Sequence, residues 1–163
     1  GDAALGLRAL QAQRTGADAD IVKNRFLCPT SRVVVSRALA SQHLVHAMID
    51  ISDGLLQDLG HVCEASKVGA EVEGERLPLS PSYRALQGER EWGVALTGGE
   101  DYELLFTAAV THRPAIAAIA QTVQCPISRI GRITPRAQGL QVRTADGSVY
   151  VPTQAGYDHF RRE

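Results

Sequence analysis

The chain has 163 residues, of which 44% are hydrophobic and 21% are charged, and its 17 Lys and Arg residues nearly balance its 18 Asp and Glu residues. This length fits one domain that can bury its own core. The balanced charge lacks the basic excess that indicates nucleic-acid binding, and no apolar run is long enough to span a membrane. No basic segment leads into an apolar run as in a signal peptide. We therefore expect neither nucleic acid nor a membrane as a partner.

The sulfur-containing residues bear on location. Cys28, Cys63 and Cys125 are widely separated and lack metal-site spacing. An odd number of cysteines without a C-x-x-C pair is typical of buried thiols in a reducing cytosol, so a cytoplasmic location is predicted. Met48 is the only methionine, so the sequence does not start with an initiator methionine. The chain is therefore expected to begin in the middle of a longer sequence.

Three helices are predicted in the N-terminal quarter. Good helix formers occupy residues 3–13, and Asp2 can cap that helix. A second helix is expected over residues 18–27, before Pro29, and a third after Ser31. Their apolar faces carry few chemical groups, which indicates a packing role.

The hydrophobic period changes within the next segment. Apolar residues up to Ile51 predict a strand, and those from Leu55 onward recur at the spacing of one helix face. Asp50, Ser52 and Asp53 lie at this strand-to-helix turn. Ser52 or Asp53 can cap the helix, but one cap does not require two carboxylates and a hydroxyl within four residues.

Short strands and helices interleave in the remainder. Strands are expected at residues 69–73, 102–107, 127–134 and 140–143, and helices at 82–86, 89–96 and 114–122, of which 89–96 is ambiguous. Asp146-Gly147 is the strongest hairpin signal. Because strands and helices do not alternate strictly, we predict an α+β layered sandwich with a mixed sheet.

Asp50 and Asp53 are candidate magnesium ligands. Mg²⁺ prefers oxygen ligands and usually takes only one or two carboxylates from protein. From spacing alone the alternative is slightly favoured, in which Asp53 caps the helix and Asp50 is a solvated strand-end residue.

A second acidic segment follows the glycine pair at residues 98–99. Glycine allows the backbone to bring a following side chain close to a ligand, and Glu100, Asp101 and Glu103 are too many acids for a cap alone. The alternative is an exposed acidic turn that leads into a buried strand, with Tyr102 in the core.

Other polar groups receive plainer interpretations. From the residues alone Tyr157 is a packing group, and His159 lies at or near the surface. Asp58 and Glu64 are expected on the solvated face of the central helix. No Walker-type loop, G-x-G-x-x-G or G-x-S-x-G motif is present, so any ATP must be held through carboxylate-bound metal.

Three motifs occur in order at domain-scale separations: DISDGL at residues 50–55, GGEDYELLF at 98–106 and GYDHF at 156–160. Together they resemble the C-terminal domain of the thiamine-monophosphate kinase family, within the superfamily of aminoimidazole ribonucleotide synthetase. The match covers nearly the whole chain. The resemblance implies one α+β domain over residues 1–163, partly ferredoxin-like in topology, and an absent N-terminal half that carries most of the metal ligands.

The resemblance also implies the activity, which is magnesium-assisted transfer of the γ-phosphoryl group of ATP to thiamine monophosphate, giving thiamine diphosphate. It implies Asp50 and Asp53 as metal ligands, Ser52 as a nucleotide contact, and Glu100 and Tyr157 as substrate contacts, with no residue assigned as acid or base. The full-length protein is expected to be a homodimer, and the isolated domain to be inactive. Another enzyme of the superfamily and a non-catalytic binding or dimerisation module are the alternatives.

Overall fold

The computed structural model describes residues 1–152. Within this range the α-helices are α1 (Asp2–Gln11), α2 (Ala17–Leu27), α3 (Val33–Ser41), α4 (Leu55–Ser66), α5 (Pro81–Gln87), α6 (Gly93–Thr97) and α7 (Arg113–Thr122). The strands are β1 (Ala47–Ile51), β2 (Val68–Glu73), β3 (Glu103–Thr107), β4 (Gly131–Pro135), β5 (Leu140–Arg143) and β6 (Val149–Tyr150). Short 3₁₀ turns occupy Gly74–Arg76, Val110–His112 and Arg136–Gln138.

The strands form two sheets. β1 and β3 make an antiparallel ribbon in which Ile49 pairs with Leu105 and Ile51 with Glu103. The larger sheet has the order β4-β2-β5-β6, with β2 and β5 parallel and the other neighbours antiparallel. The predicted α+β fold with a mixed sheet is therefore confirmed.

The main core lies between α4 and the two sheets. Leu55, Leu59 and Cys63 on one face of α4 pack in one buried cluster with Val72 of β2 and Leu105 of β3. The change of period seen in the sequence thus marks a strand and a helix that face the same core.

The first two helices, α1 and α2, form a second cluster against α5 and α6. Leu5, Ala9 and Val22 pack with Tyr83. The expectation that Asp2 caps α1 is wrong, because Asp2 is the first residue of the helix and its Oδ1 accepts a hydrogen bond from the Ser80 hydroxyl at 2.8 Å.

Two further expectations are corrected. The helix expected over residues 89–96 is present only from Gly93 to Thr97, because Trp92 is held by tertiary packing in the core, with its ring centroid 5.3 Å from that of Tyr150. Cys63 is buried as expected, whereas Cys28 is exposed.

The hairpin prediction is confirmed. The Thr144 N–H donates to the Ser148 carbonyl oxygen at 3.0 Å, and Gly147 adopts a φ of 84° in the turn between β5 and β6. Among the helices of residues 1–152, none combines the length and the apolar character that crossing a bilayer requires.

Candidate functional site

The turn between β1 and α4 carries the first group of predicted site residues. Asp50 is exposed at the end of β1, and Ser52 and Asp53 are half-buried in the turn. The N-cap residue of α4 is Gly54, with a φ of 130° and no side chain. The expectation that Ser52 or Asp53 caps this helix is therefore wrong, and a different residue satisfies the amides of the turn.

That residue is Asp58. Its side chain is buried at 2% relative exposure, and its Oδ2 accepts hydrogen bonds from the backbone N–H groups of Ser52 at 3.0 Å and of Asp53 and Gly54 at 3.2 Å each. The expectation of a solvated Asp58 is wrong, whereas Glu64 is exposed as expected. A signal was present in the sequence, because Asp58 lies three residues after Leu55 and next to Leu59, within the apolar stripe of α4.

The loop after α6 packs directly on this turn. The Glu100 N–H donates to the Ser52 carbonyl oxygen and the Tyr102 N–H to that of Ile51, both at 2.8 Å. A Cβ added to Gly99 would lie 2.4 Å from the Ser52 carbonyl oxygen. Only glycine permits this close approach of the two backbones. The glycine pair at residues 98–99 thereby places Glu100 beside the β1–α4 turn.

Tyr102 is exposed and is hydrogen-bonded to one of the acidic side chains. Its side chain is 41% exposed, so the expectation of a core position is wrong, and its hydroxyl donates to Glu100 Oε2 at 2.9 Å. This bond to Glu100 raises the pKa of Tyr102, and the negative charges of Glu100, Asp50 and Asp53 raise it further. Carboxylates from two separate segments of the chain therefore contribute to the raised pKa of this phenol.

The backbone around this phenol is unusual. Glu100 has a φ of 69° and Tyr102 a φ of 49°. Non-glycine residues in the left-handed region are uncommon, and they persist where the surroundings determine the conformation. Here the backbone hydrogen bonds from Glu100 to Ser52 and from Tyr102 to Ile51 hold this conformation.

The neighbouring acids have structural partners. Asp101 Oδ1 accepts a hydrogen bond from the Ala3 N–H at 3.0 Å, and its Oδ2 contacts the backbone nitrogen of Gly1. Glu103 makes a two-pronged ion pair with Arg32, at 2.7 Å to Nε and 2.6 Å to Nη2. Asp101 and Glu103 therefore tie the acidic loop to the N-terminal helices.

One group of possible metal ligands is present among the described residues. Ligand atoms of Asp53, Asp58 and His61 all lie within 4.8 Å of one another. Asp58 already accepts three amide hydrogen bonds, and the imidazole of His61 is less suited to Mg²⁺ than an oxygen ligand. Asp53 in this group carries carboxylate oxygens, the type of ligand that Mg²⁺ prefers, and the exposed carboxylate of Asp50 is not part of the group.

The acidic groups lie on open surface. A broad, largely apolar groove runs beneath the β1–β3 ribbon, and its lining includes Ile51, Asp101 and Glu103 but not Asp50 or Glu100. Tyr157 and His159 lie outside the residues that the structure describes. The structure therefore brings Asp50, Ser52, Asp53 and Glu100 to one place, without bearing on Tyr157.

Comparisons with known proteins agree on one family. The family described as "AIR synthase related protein, C-terminal domain" matches residues 3–143. Thiamine-monophosphate kinase of Escherichia coli strain K12 is 38% identical over 164 residues, covering 98% of this chain and 50% of that protein. The chain therefore spans about half the length of this curated relative.

Solved structures show the same relationship. The crystal structure of thiamine-monophosphate kinase from Stenotrophomonas maltophilia K279a is 40% identical with a TM-score of 0.81, covering 92% of this chain and 48% of that one. A structure described as "AaThiL complexed with AMPPCP and TMP" is 30% identical with a TM-score of 0.75, covering 98% of this chain and 48% of that one.

Proposed function

The chain belongs to the family of AIR synthase-related C-terminal domains, and from that membership we propose that it is the C-terminal domain of a thiamine-monophosphate kinase. The observation that carries the proposal is the 2.8 Å hydrogen bond from the Glu100 N–H to the Ser52 carbonyl oxygen, which joins the Glu100 loop to the turn that carries Asp50 and Asp53. The named relatives support the substrate, since one of them is a complex with AMPPCP, an ATP analogue, and TMP, which we interpret as thiamine monophosphate.

The proposed domain organisation follows from coverage. Residues 1–163 form one domain, and the other half of the protein is supplied by a segment of about the same size, because the relatives are twice as long as this chain. Open exposure of Asp50 and Glu100 fits this organisation. An exposed site holds water that must be excluded before phosphoryl transfer, and a second domain can close over it. By itself this domain is inactive or binds its ligands weakly.

The nucleotide end of the site is the β1–α4 turn. Phosphoryl transfer needs little covalent work from the protein, so positioning and charge neutralisation supply most of the acceleration. Asp50 and Asp53 would hold Mg²⁺, which would neutralise charge on the phosphate oxygens, and the Ser52 hydroxyl would donate to a phosphate oxygen. No protein group needs to act as a covalent nucleophile, because the acceptor phosphate of the substrate attacks directly.

The acceptor end of the site is the Glu100 loop. Thiamine monophosphate carries a cationic thiazolium ring, and a carboxylate beside an aromatic face favours such a cation. Glu100 supplies the carboxylate and Tyr157 an aromatic contact in the proposed complex. Since Glu100 is hydrogen-bonded through its backbone to Ser52, the acceptor and nucleotide ends are held at a fixed separation.

The cellular setting is part of the proposal. The full-length protein is a cytoplasmic homodimer that uses ATP as co-substrate. Sedimentation of the full-length protein measures the oligomeric state directly, and a monomer that retains activity would remove the dimer from the proposal without affecting the chemistry.

The test uses the full-length protein, assayed for ATP-dependent formation of thiamine diphosphate with Mg²⁺ present. Replacing Asp53 with Ala is expected to lower kcat and to weaken Mg·ATP binding. Glu100→Ala is expected to raise KM for thiamine monophosphate with little change in KM for ATP. Glu64→Ala, which removes an exposed acid from α4, is the control and is expected to retain full activity.

Contrary results distinguish the alternatives. Wild-type turnover that survives both Asp53→Ala and Glu100→Ala would overturn the site assignment. Turnover of a different phosphate acceptor, with none on thiamine monophosphate, would favour another enzyme of the superfamily. Calorimetric binding of thiamine monophosphate without turnover would favour a non-catalytic module.

A further inference from the structure

We infer that Asp58 is a positioning residue that fixes the turn carrying Ser52 and Asp53 for metal-bound nucleotide, an inference that rests on the proposed function. Asp58 does not reach the surface on which that nucleotide would lie, because it is only 2% exposed. It acts through the three hydrogen bonds that its Oδ2 accepts from backbone N–H groups of the turn.

A turn of this kind is expected to use its own side chain as the helix cap. Ser and Asp at such a position normally accept from the free N–H groups at the start of the helix. Here the acceptor comes from inside α4, one turn beyond Gly54. This arrangement relieves Ser52 and Asp53 of the capping role.

The geometry orients the turn as well as satisfying its amides. Three consecutive N–H groups, those of Ser52, Asp53 and Gly54, converge on one carboxylate oxygen. Such convergence fixes the backbone of the turn and therefore the directions in which the side chains of Ser52 and Asp53 leave it. The carbonyl of Ser52 is fixed from its other side by the Glu100 N–H at 2.8 Å.

The charge of Asp58 matters in addition to its shape. A carboxylate oxygen accepts charge-assisted hydrogen bonds from N–H groups, and these are stronger than the bonds that a neutral amide oxygen accepts. Asp58→Asn preserves size but removes the charge and replaces one oxygen with a donor. The substitution therefore loosens the turn while leaving α4 and its apolar contacts in place.

The test measures the turn and the nucleotide separately in the full-length protein. In Asp58→Asn, amide hydrogen exchange across residues 52–54 is expected to accelerate. KM for Mg·ATP is expected to rise by roughly 10–100-fold, as is usual for groups that orient a metal ligand, while KM for thiamine monophosphate stays unchanged. If Asp58 contributed only to stability, its substitution would not raise the KM for Mg·ATP while leaving the KM for thiamine monophosphate unchanged.

Two controls bracket this variant. Glu64→Gln neutralises an exposed acid on the same helix and is expected to change neither exchange nor KM. Tyr83→Phe removes a buried hydroxyl that donates to the Glu91 carbonyl oxygen and accepts from the Ala95 N–H. It lowers stability away from the turn and is expected to leave both KM values unchanged.

Three outcomes would overturn the inference. The first is unchanged amide exchange across residues 52–54 in Asp58→Asn, and the second is an unchanged KM for Mg·ATP in that variant. The third is an equal rise in the KM for Mg·ATP in Tyr83→Phe when the two variants lose the same stability. If the wild-type protein makes no thiamine diphosphate, the proposed function fails, and calorimetric titration with Mg·ATP decides the role of Asp58. Weaker binding by Asp58→Asn but not by Glu64→Gln then supports the inference, and equal binding or no binding overturns it.

Discussion

The backbone N–H of Glu100 donates to the backbone carbonyl oxygen of Ser52 across 2.8 Å. This bond joins two segments that are separated by nearly fifty residues in sequence, and it joins them at the residues that the proposal places at the acceptor and nucleotide ends of the site. A second bond of equal length, from the Tyr102 N–H to the Ile51 carbonyl oxygen, prevents rotation about the first. The relative position of the two ends is therefore set by backbone, and side-chain substitutions at Ser52 or Glu100 leave it intact.

Gly99→Ala tests this backbone contact. The added Cβ would lie 2.4 Å from the Ser52 carbonyl oxygen, a main-chain atom that cannot rotate away as the end of a side chain would. We expect the free energy of unfolding to fall by about 1–3 kcal/mol, the usual cost of overpacking, and Mg·ATP binding by the full-length protein to weaken. Thermal denaturation and calorimetry measure the two effects.

Gly60→Ala is the matched control. Gly60 lies within α4, and a Cβ added there meets nothing within 4 Å. Because alanine is a better helix former than glycine, this variant should gain roughly 0.5–1 kcal/mol of stability. Equal stability of Gly99→Ala and the wild type would contradict the close approach of the two loops.

The elements that flank the site could be read from local sequence. The strand Ala47–Ile51 and the helix Leu55–Ser66 follow from the change in hydrophobic period, because each element shows its apolar face to one core. The alternation in β2 is equally informative, since Ala70 and Val72 are buried while Glu71 turns outward to Arg132 and Arg143.

What could not be read depends on partners that are distant in sequence. The sequence predicts Tyr102 in the core as the first residue of a strand, but it lies before β3, and its positive φ and its bonds to Ile51 and Glu100 accompany an exposed ring. Asp58 was expected in solvent because acids usually are. Its burial depends on three amides of a turn whose conformation the sequence did not specify.

Tyr102→Phe tests the acidic cluster through alkaline titration. The bond to Glu100 and the nearby carboxylates raise the pKa of Tyr102 above its ordinary value of about 10. The neutral phenol is therefore favoured in the folded state, and the resulting stability is present below about pH 10 and lost as the pH rises through the folded pKa. Tyrosine-selective NMR titration is expected to show a signal, absent in Tyr102→Phe, that ionises late.

Glu100→Gln sharpens that titration. The amide oxygen can still accept from the Tyr102 hydroxyl, but the negative charge is gone, so the pKa of Tyr102 should move back toward its ordinary value. A Tyr102 signal that titrates at the ordinary value in the wild type would contradict the hydrogen bond between the Tyr102 hydroxyl and Glu100.

Tyr83 provides a second pH-dependent prediction in a different setting. Burial raises the pKa of Tyr83 to about 12, and its hydroxyl donates to the Glu91 carbonyl oxygen at 2.7 Å and accepts from the Ala95 N–H at 3.0 Å. Since the pKa of an unfolded tyrosine is about 10, the contribution to stability is complete below about pH 10 and is lost as the pH approaches about 12. Stability measured against pH should fall over this range in the wild type and less in Tyr83→Phe.

The same variant has an effect at neutral pH. Removing two neutral hydrogen bonds costs about 1–3 kcal/mol, which corresponds to several degrees in Tm for a domain of this size. A Tyr83→Phe protein with unchanged Tm and unchanged alkaline stability would contradict the buried, doubly bonded hydroxyl.

The ion pair of Arg32 and Glu103 gives the last prediction. Arg32 Nη2 lies 2.6 Å from Glu103 Oε1 and Nε lies 2.7 Å from Oε2, with side-chain exposures of 21% for Arg32 and 46% for Glu103. The two-pronged geometry favours the pair, while partial exposure screens it. A double-mutant cycle with Arg32→Ala and Glu103→Ala is expected to give a coupling of about 0.5–1 kcal/mol that falls with added salt.

The pair of Lys23 and Asp20 on α2 is the control for this cycle. It has a single contact of 3.3 Å, and the Asp20 side chain is 69% exposed, so its coupling should lie at the lower end of the range of about 0.3–0.5 kcal/mol seen for exposed helix pairs. Because Glu103 begins the strand that follows the acidic loop, loss of its partner should also accelerate amide exchange across residues 100–103. Equal coupling in the two cycles, with unchanged exchange in Arg32→Ala, would show that this ion pair does not hold the loop against the N-terminal helices.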